Sequence, residues 1–180
     1  MNKQSNVYTT VYIIILVLVI GTALASTALA LRPKQQENID ADKMRQILAA
    51  VHITPEKDGI VEEFNRYIVE QKVVNSAGET IEGNAFTINM PEQIKLPANK
   101  RSLPVFVCKM QGGEIKYILP AYGAGLWGPI WGYIAIDSDG STVYGAYFAH
   151  QGETPGLGAE IEKPAFTDQF NSSLHLLKDG

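Results

Sequence analysis

From Val11 to Leu31 the chain carries no charged side chain. A helix over this stretch, rising about 1.5 Å per residue, reaches roughly 30 Å, the thickness of a bilayer's hydrocarbon layer. The run therefore predicts one transmembrane helix over residues 11–31, with a short N-terminal segment over 1–10 and everything later folding outside the lipid. The competing reading is a cleaved secretory signal, because Ala28-Leu29-Ala30 has the small residues of a cleavage site. The apolar stretch exceeds the about 7–15 residues of such a signal's core, which favours a retained anchor. No cysteine stands at the end of the run, so a lipidated N-terminal cysteine is excluded. Lys3 lies before the run, and Arg32, Lys34, Lys43 and Arg45 lie after it. That count alone points the domain toward the cytoplasm, but long domains are exported largely regardless of it.

A length of 180 residues with 46% hydrophobic side chains suits one domain with a real core plus the anchor. The net charge of -4 leaves no basic field for a nucleic-acid backbone. The lone cysteine, Cys108, excludes an internal disulfide and any multi-cysteine metal site within one chain. It follows Leu103-Pro104-Val105-Phe106-Val107, which reads as a buried strand, so its thiol is expected in the core.

After a polar juxtamembrane linker over 32–39 containing Pro33, two helices are expected. Asp40 and Asp42 favour a helix start, and Met44, Ile47, Leu48 and Val51 recur at helical spacing. Thr54-Pro55-Glu56 reads as the cap of a second helix whose apolar face is Ile60, Phe64, Tyr67 and Ile68. From Gln71 onward the pattern changes to short strands. Ser76-Ala77-Gly78-Glu79 reads as a turn, and Gln111-Gly112-Gly113 and Asp137-Ser138-Asp139-Gly140 each lie between two apolar runs, as in hairpins. The last of these resembles part of a calcium loop, yet Phe148 stands where that loop needs glutamate, so a solvated turn is expected. The fold class is α+β, an antiparallel sheet with packed helices behind the N-terminal transmembrane helix.

Two segments place glycine and aromatic residues where regular structure disfavours them. The first is Tyr122-Gly123-Ala124-Gly125-Leu126-Trp127-Gly128-Pro129-Ile130-Trp131-Gly132, in which Leu126 or Trp127 can lie against a planar ring; the alternative is a tight turn with two core tryptophans. The second is His150-Gln151-Gly152-Glu153-Thr154-Pro155-Gly156-Leu157-Gly158-Ala159-Glu160, whose glycines free backbone N–H groups to meet a phosphate or the polar edge of a heterocycle; an ordinary surface loop is the alternative. Catalytic patterns are missing. His52, His150 and His175 are scattered, and there is no His-Glu-x-x-His, no Gly-x-Ser-x-Gly, no Walker loop and no dinucleotide fingerprint. No catalytic residue and no metal ligand is expected.

The anchor, then Tyr122-Gly123-Ala124-Gly125-Leu126-Trp127-Gly128-Pro129, then Gly152-Glu153-Thr154-Pro155-Gly156-Leu157-Gly158 a hairpin later, together resemble the C subunit of the sodium-translocating NADH:quinone reductase. The G subunit of the Rnf electron-transport complex, which shares the flavin-binding domain, is the second resemblance, and a non-redox envelope protein that binds a partner through these loops is the third reading. The resemblance implies an FMN-binding domain over 40–180 that relays electrons within a six-subunit complex, with NADH, quinone and sodium handled by partner subunits. It implies a bacterial inner-membrane protein with its domain on the periplasmic side. It also implies FMN contacts from Leu126, Trp127, Glu153, Thr154, Gly156, Leu157 and Gly158, with the cofactor carrying the redox chemistry. The family attaches FMN through its phosphate to a threonine in a Ser-Gly-Ala-Thr segment. That segment does not occur in these residues and is expected downstream of Gly180, so the chain reads as a domain truncated before it; Thr154 is not the attachment residue.

Overall fold

The computed structural model describes residues 6–171, which divide into two compact units, one reaching to Asp42 and one beginning at Lys43. His175 and the first five residues lie outside the described range. Helix α1 spans Asn6–Ala49. Its charge-free stretch over 11–31 is exposed throughout, and by length and composition it can cross a membrane. Within that stretch the Thr22 and Thr27 hydroxyls donate to the carbonyls of Leu18 and Ala23 at 2.7 and 2.9 Å, so neither presents an unsatisfied donor along the apolar surface. The linker expected over 32–39 is helical, with Pro33 inside α1. Pro33 removes one backbone donor, but Lys34, Gln35, Gln36 and Glu37 that follow are good helix formers, and Gln36 adds a side-chain bond to Asp40 at 2.8 Å.

In the second unit the end of α1 supplies the core residues Ile47 and Leu48, joined by Val51 just beyond it, as their spacing predicts. The second helix starts later than expected. Gly59 N–H closes a turn on the Glu56 carbonyl at 3.1 Å, and α2 then covers Ile60–Tyr67 with Gly59 at its cap. Thr54-Pro55 therefore precedes a turn rather than a helix. Ile60, Phe64 and Tyr67 are buried as their spacing requires, but Ile68 opens the first strand instead of extending the helix.

Six antiparallel strands follow: β1 Ile68–Val74, β2 Thr80–Ile81, β3 Leu103–Lys109, β4 Ile115–Ala124, β5 Pro129–Asp137 and β6 Val143–His150, in the order β2-β1-β3-β4-β5-β6. The expected turns stand where glycine reaches the left-handed region, with φ of 80° at Gly78, 85° at Gly113 and 73° at Gly140. In the β5–β6 turn, Asp139 accepts from the backbone of Ser141 and Thr142, both at 2.9 Å, and from the Thr142 hydroxyl. The Thr142 hydroxyl, more than either backbone donor, holds the Asp139 carboxyl down to about 2.

The core forms where α2 and the end of α1 meet the sheet. Phe64 and Phe106 pack edge-on with ring centroids 6.5 Å apart, and Phe106 meets Tyr133 at the same distance. Burying each such ring contributes about 1.5–3 kcal/mol. Cys108 is fully buried beside them, and burial pushes its thiol up to about 11 against the opposing pull of the Lys116 charge.

Candidate functional site

Register builds the site. Ala124 pairs with Pro129, so β4 and β5 converge on a tip of two residues, Leu126 and Trp127. Below the tip, Gly125 N–H donates to the Gly128 carbonyl at 2.8 Å. Tyr122 to Ala124 and Pro129 to Gly132, read from sequence as part of one glycine-rich segment, are strand residues that deliver the tip. Trp131 donates from its indole to Gln46 at 3.1 Å, whereas Trp127 is 70% and Leu126 82% exposed. The tip is a tight turn, as one reading expected, but Trp127 is not a core residue.

The second loop starts alongside. Ile130 pairs with His150 at the end of β6, and Gln151 N–H donates to the Pro129 carbonyl at 3.0 Å. Residues 151–157 then form an irregular loop before a short 3-10 helix over Gly158–Glu162. Within it the Thr154 carbonyl accepts the N–H groups of Leu157 and Ala159 at 3.1 and 3.2 Å, and Gly156 turns with φ of 77°. Gly156 N–H donates to Glu160 at 3.0 Å; Lys163, bonded to the same carboxylate, is the larger cause of its lowered pKa. Leu157, at 73%, stands exposed on this loop as Leu126 and Trp127 do on the other.

Both ends of the second loop are tied. The His150 N–H donates to Glu162 Oε1 at 3.1 Å, with His150 Nε2 3.7 Å from the same oxygen. Phe148 on β6, Phe166 in the short helix α3 over Pro164–Thr167 and Phe170 beyond it form a three-ring cluster with centroids 5.3 to 5.7 Å apart. Such aromatic contacts return the chain to the sheet after the loop.

Glu153 joins the two loops. It is 8% exposed; its own N–H donates to His150 Nδ1 at 3.1 Å, and its Oε1 accepts the backbone N–H of Trp127 at 3.0 Å. A Cβ on Gly125 would collide with Glu153 Oε1, and one on Gly158 would fall 2.5 Å from Oε2, so the two glycines leave the space that this carboxylate fills. Of the residues expected at the site, Trp127, Glu153 and Gly158 are brought into direct contact or close approach. Leu126, Thr154, Gly156 and Leu157 remain exposed on their loops. Glu153 does not face outward with them; its carboxylate is turned into the protein.

Sequence reasoning missed Glu162, whose bond to His150 only the fold reveals, and Ile94. With Tyr122, Gly123, Ala124, Gly125, Gly128 and Pro129, Ile94 lines an open groove of about 350 Å³ under the tip. No metal-ligand set is assembled among the described residues of the two loops. What the arrangement offers is exposed apolar surface from Leu126, Trp127 and Leu157 on two loops tied together through Glu153, which suits holding a flat molecule.

The model of the FMN-binding domain matches residues 125–176, which begin at the first tip and contain the second loop. The C subunit of the Na(+)-translocating NADH-quinone reductase from Vibrio vulnificus strain YJ016 is 32% identical over 169 residues, covering 85% of this chain and 66% of the relative. The C subunit from Vibrio alginolyticus is also 32% identical, over 94% of this chain and 72% of its own length. The crystal structure of the C subunit from Parabacteroides distasonis ATCC 8503 superposes with a TM-score of 0.74 at 45% identity, covering 79% of this chain and 69% of that one. With this identity over so much of its length, the chain belongs to the family of C subunits of the Na+-translocating NADH-quinone reductase.

Proposed function

We propose that this chain is the FMN-carrying, electron-relaying subunit of a sodium-translocating NADH:quinone reductase, held by α1 in a bacterial inner membrane with its domain on the periplasmic side. The observation that carries the reading is the pair of apolar-tipped glycine loops joined through Glu153, inside the stretch matched by the FMN-binding domain. Leu126, Trp127 and Leu157 supply exposed apolar surface of the kind a tricyclic ring covers, while Thr154, Gly156 and Gly158 bring short side chains or none to the polar edge. The residues present thus fit FMN.

FMN, when bound, accepts and passes on electrons; the protein's part is to hold and orient it and to set the polarity around it. Leu157 and Trp127 would shield the ring from water, and Thr154 would donate a hydrogen bond to an acceptor on it. No side chain need transfer a proton for this task. NADH, quinone and sodium belong to partner subunits. The apolar stretch over 11–31 carries no charged residue on which an ion pathway could be built.

Covalent attachment of FMN, the route the family resemblance implies, requires the Ser-Gly-Ala-Thr threonine. Expression of the complete gene with its maturation machinery, followed by denaturing electrophoresis, tests this: the band fluoresces as a flavin, and a dark band contradicts covalent attachment. NADH-driven quinone reduction that depends on sodium, measured on the purified complex, separates the pump from an Rnf assembly.

A further inference from the structure

Burying a carboxylate costs several kcal/mol unless hydrogen bonds replace the lost water. Lys116 and Glu153 are the buried charged side chains among the described residues. Lys116 has two carboxylate partners, Asp137 at 2.6 Å and Glu114 at 3.0 Å. Glu153 has no comparable ion pair among the described residues; the bond to its carboxylate comes from the backbone N–H of Trp127 at 3.0 Å.

That N–H belongs to a turn whose backbone is not of the usual hairpin type. Two-residue hairpin tips favour types I′ and II′, which need a residue with positive φ. None of Gly125, Leu126, Trp127 and Gly128 has one. Such a turn matches the twist of its strands less well, and Glu153 reaches across from the other loop to add a bond at the tip. Gly125 and Gly158 flank the carboxylate on its two oxygens, and the Glu153 N–H is fixed by His150, which Glu162 fixes in turn.

We propose that Glu153 is a positioning residue, whose inward-turned carboxylate holds the Leu126–Trp127 tip and the Gly156–Gly158 loop in one fixed geometry so that both meet the same ligand. This rests on the FMN reading for the identity of that ligand, but the tie itself exists without it.

The test uses the full chain in detergent, isotopically labelled, with FMN as the probe. Backbone hydrogen exchange at Trp127 is measured in the flavin-free protein, and FMN affinity is measured separately. A hydrogen bond to a charged acceptor protects an exposed amide by about tenfold or more. In Glu153→Ala, Trp127 exchange therefore speeds up by about tenfold and FMN affinity falls by a similar factor. Glu153→Gln keeps an acceptor of the same reach but about half the strength, so it falls between the two. Phe106, in the core, serves as the folding control.

Unchanged Trp127 exchange in Glu153→Ala overturns the proposal, as does faster exchange with undiminished FMN affinity. If the alanine variant loses protection at Phe106, the glutamine variant decides: Trp127 exchange equal to that of the parent overturns the tie. A parent protein that binds no FMN while the exchange order holds overturns the flavin reading and leaves the tie standing.

Discussion

Gly158 lies so close to Glu153 that a methyl group on it would sit 2.5 Å from Oε2 and 3.0 Å from the Glu153 Cβ. The nearest atoms all belong to that one side chain, so the missing Cβ is explained by the carboxylate and not by the backbone. Gly158→Ala should accordingly cost about 1–3 kcal/mol, the usual penalty for overpacking. In a Glu153→Ala background the cost should fall by at least about half, because contacting residues couple. Urea denaturation of the four proteins of this cycle reads the coupling; additive effects would show that the two residues do not share the space.

Gly156 provides a contrast. Its φ of 77° places it in the left-handed region, yet nothing stands within 4 Å of an added Cβ. Gly156→Ala should therefore cost only the conformational penalty of about 1–2 kcal/mol, and Glu153→Ala should not relieve it. The same denaturation series distinguishes strain at Gly156 from crowding at Gly158.

Lys116 is buried under Tyr144, with its ammonium 4.2 Å from the ring centroid, 2.6 Å from Asp137 and 3.0 Å from Glu114. Burial opposes its charge, but the hydrogen bonds it donates to Asp137 and Glu114 outweigh that cost, and the net effect raises its pKa. A raised folded-state pKa means the stabilisation is complete below the unfolded value, about 10.4, and is lost as pH rises through the higher folded value. Lys116→Met should destabilise by about 1–3 kcal/mol at pH 7, since Asp137 keeps partial access to water. The gap between variant and parent should close only above about pH 10; a gap that closes near neutrality contradicts the assignment.

Cys108 tests the core from another side. Its thiol, pushed up to about 11 by burial, is almost wholly protonated at pH 8. Only the thiolate reacts, so labelling by a maleimide at that pH should be at least about a hundredfold slower than for a free thiol. Full labelling should appear on addition of denaturant. Rapid labelling of the folded protein would mean that β3 is not packed as described.

Much of this architecture was legible in the residues. Apolar runs and turn glycines located the hairpins around Gly113 and Gly140, and helical spacing picked out Ile47, Leu48, Phe64 and Tyr67 as core. Boundaries set by competition between neighbouring residues were not legible. Pro33 stays inside α1 although proline marks breaks, and Pro55 precedes a turn closed by Gly59 although proline favours helix starts. At the site, glycine content announced both loops and the family resemblance supplied their ligand. The direction of Glu153 was hidden, because a carboxylate in a glycine loop is ordinarily solvated. Only the register that sets His150 beside Ile130 brings it under Trp127.

The sidedness of the domain is open to a simple chemical test. Gln36 is an exposed residue of α1 beyond the apolar stretch. A Gln36→Cys variant in intact cells should react with a membrane-impermeant thiol reagent, whereas Cys108 stays silent. Protection of the new thiol until lysis would contradict the periplasmic placement.

FMN added to the labelled full chain in detergent micelles addresses the two-loop site most directly, read as amide chemical shifts residue by residue. The account predicts saturable shifts at Leu126, Trp127, Thr154, Gly156, Leu157 and Gly158, with β1 and β2 unmoved, and their loss when Leu157 is replaced by Asp. Shifts confined to one loop, or clustered away from both, would contradict it.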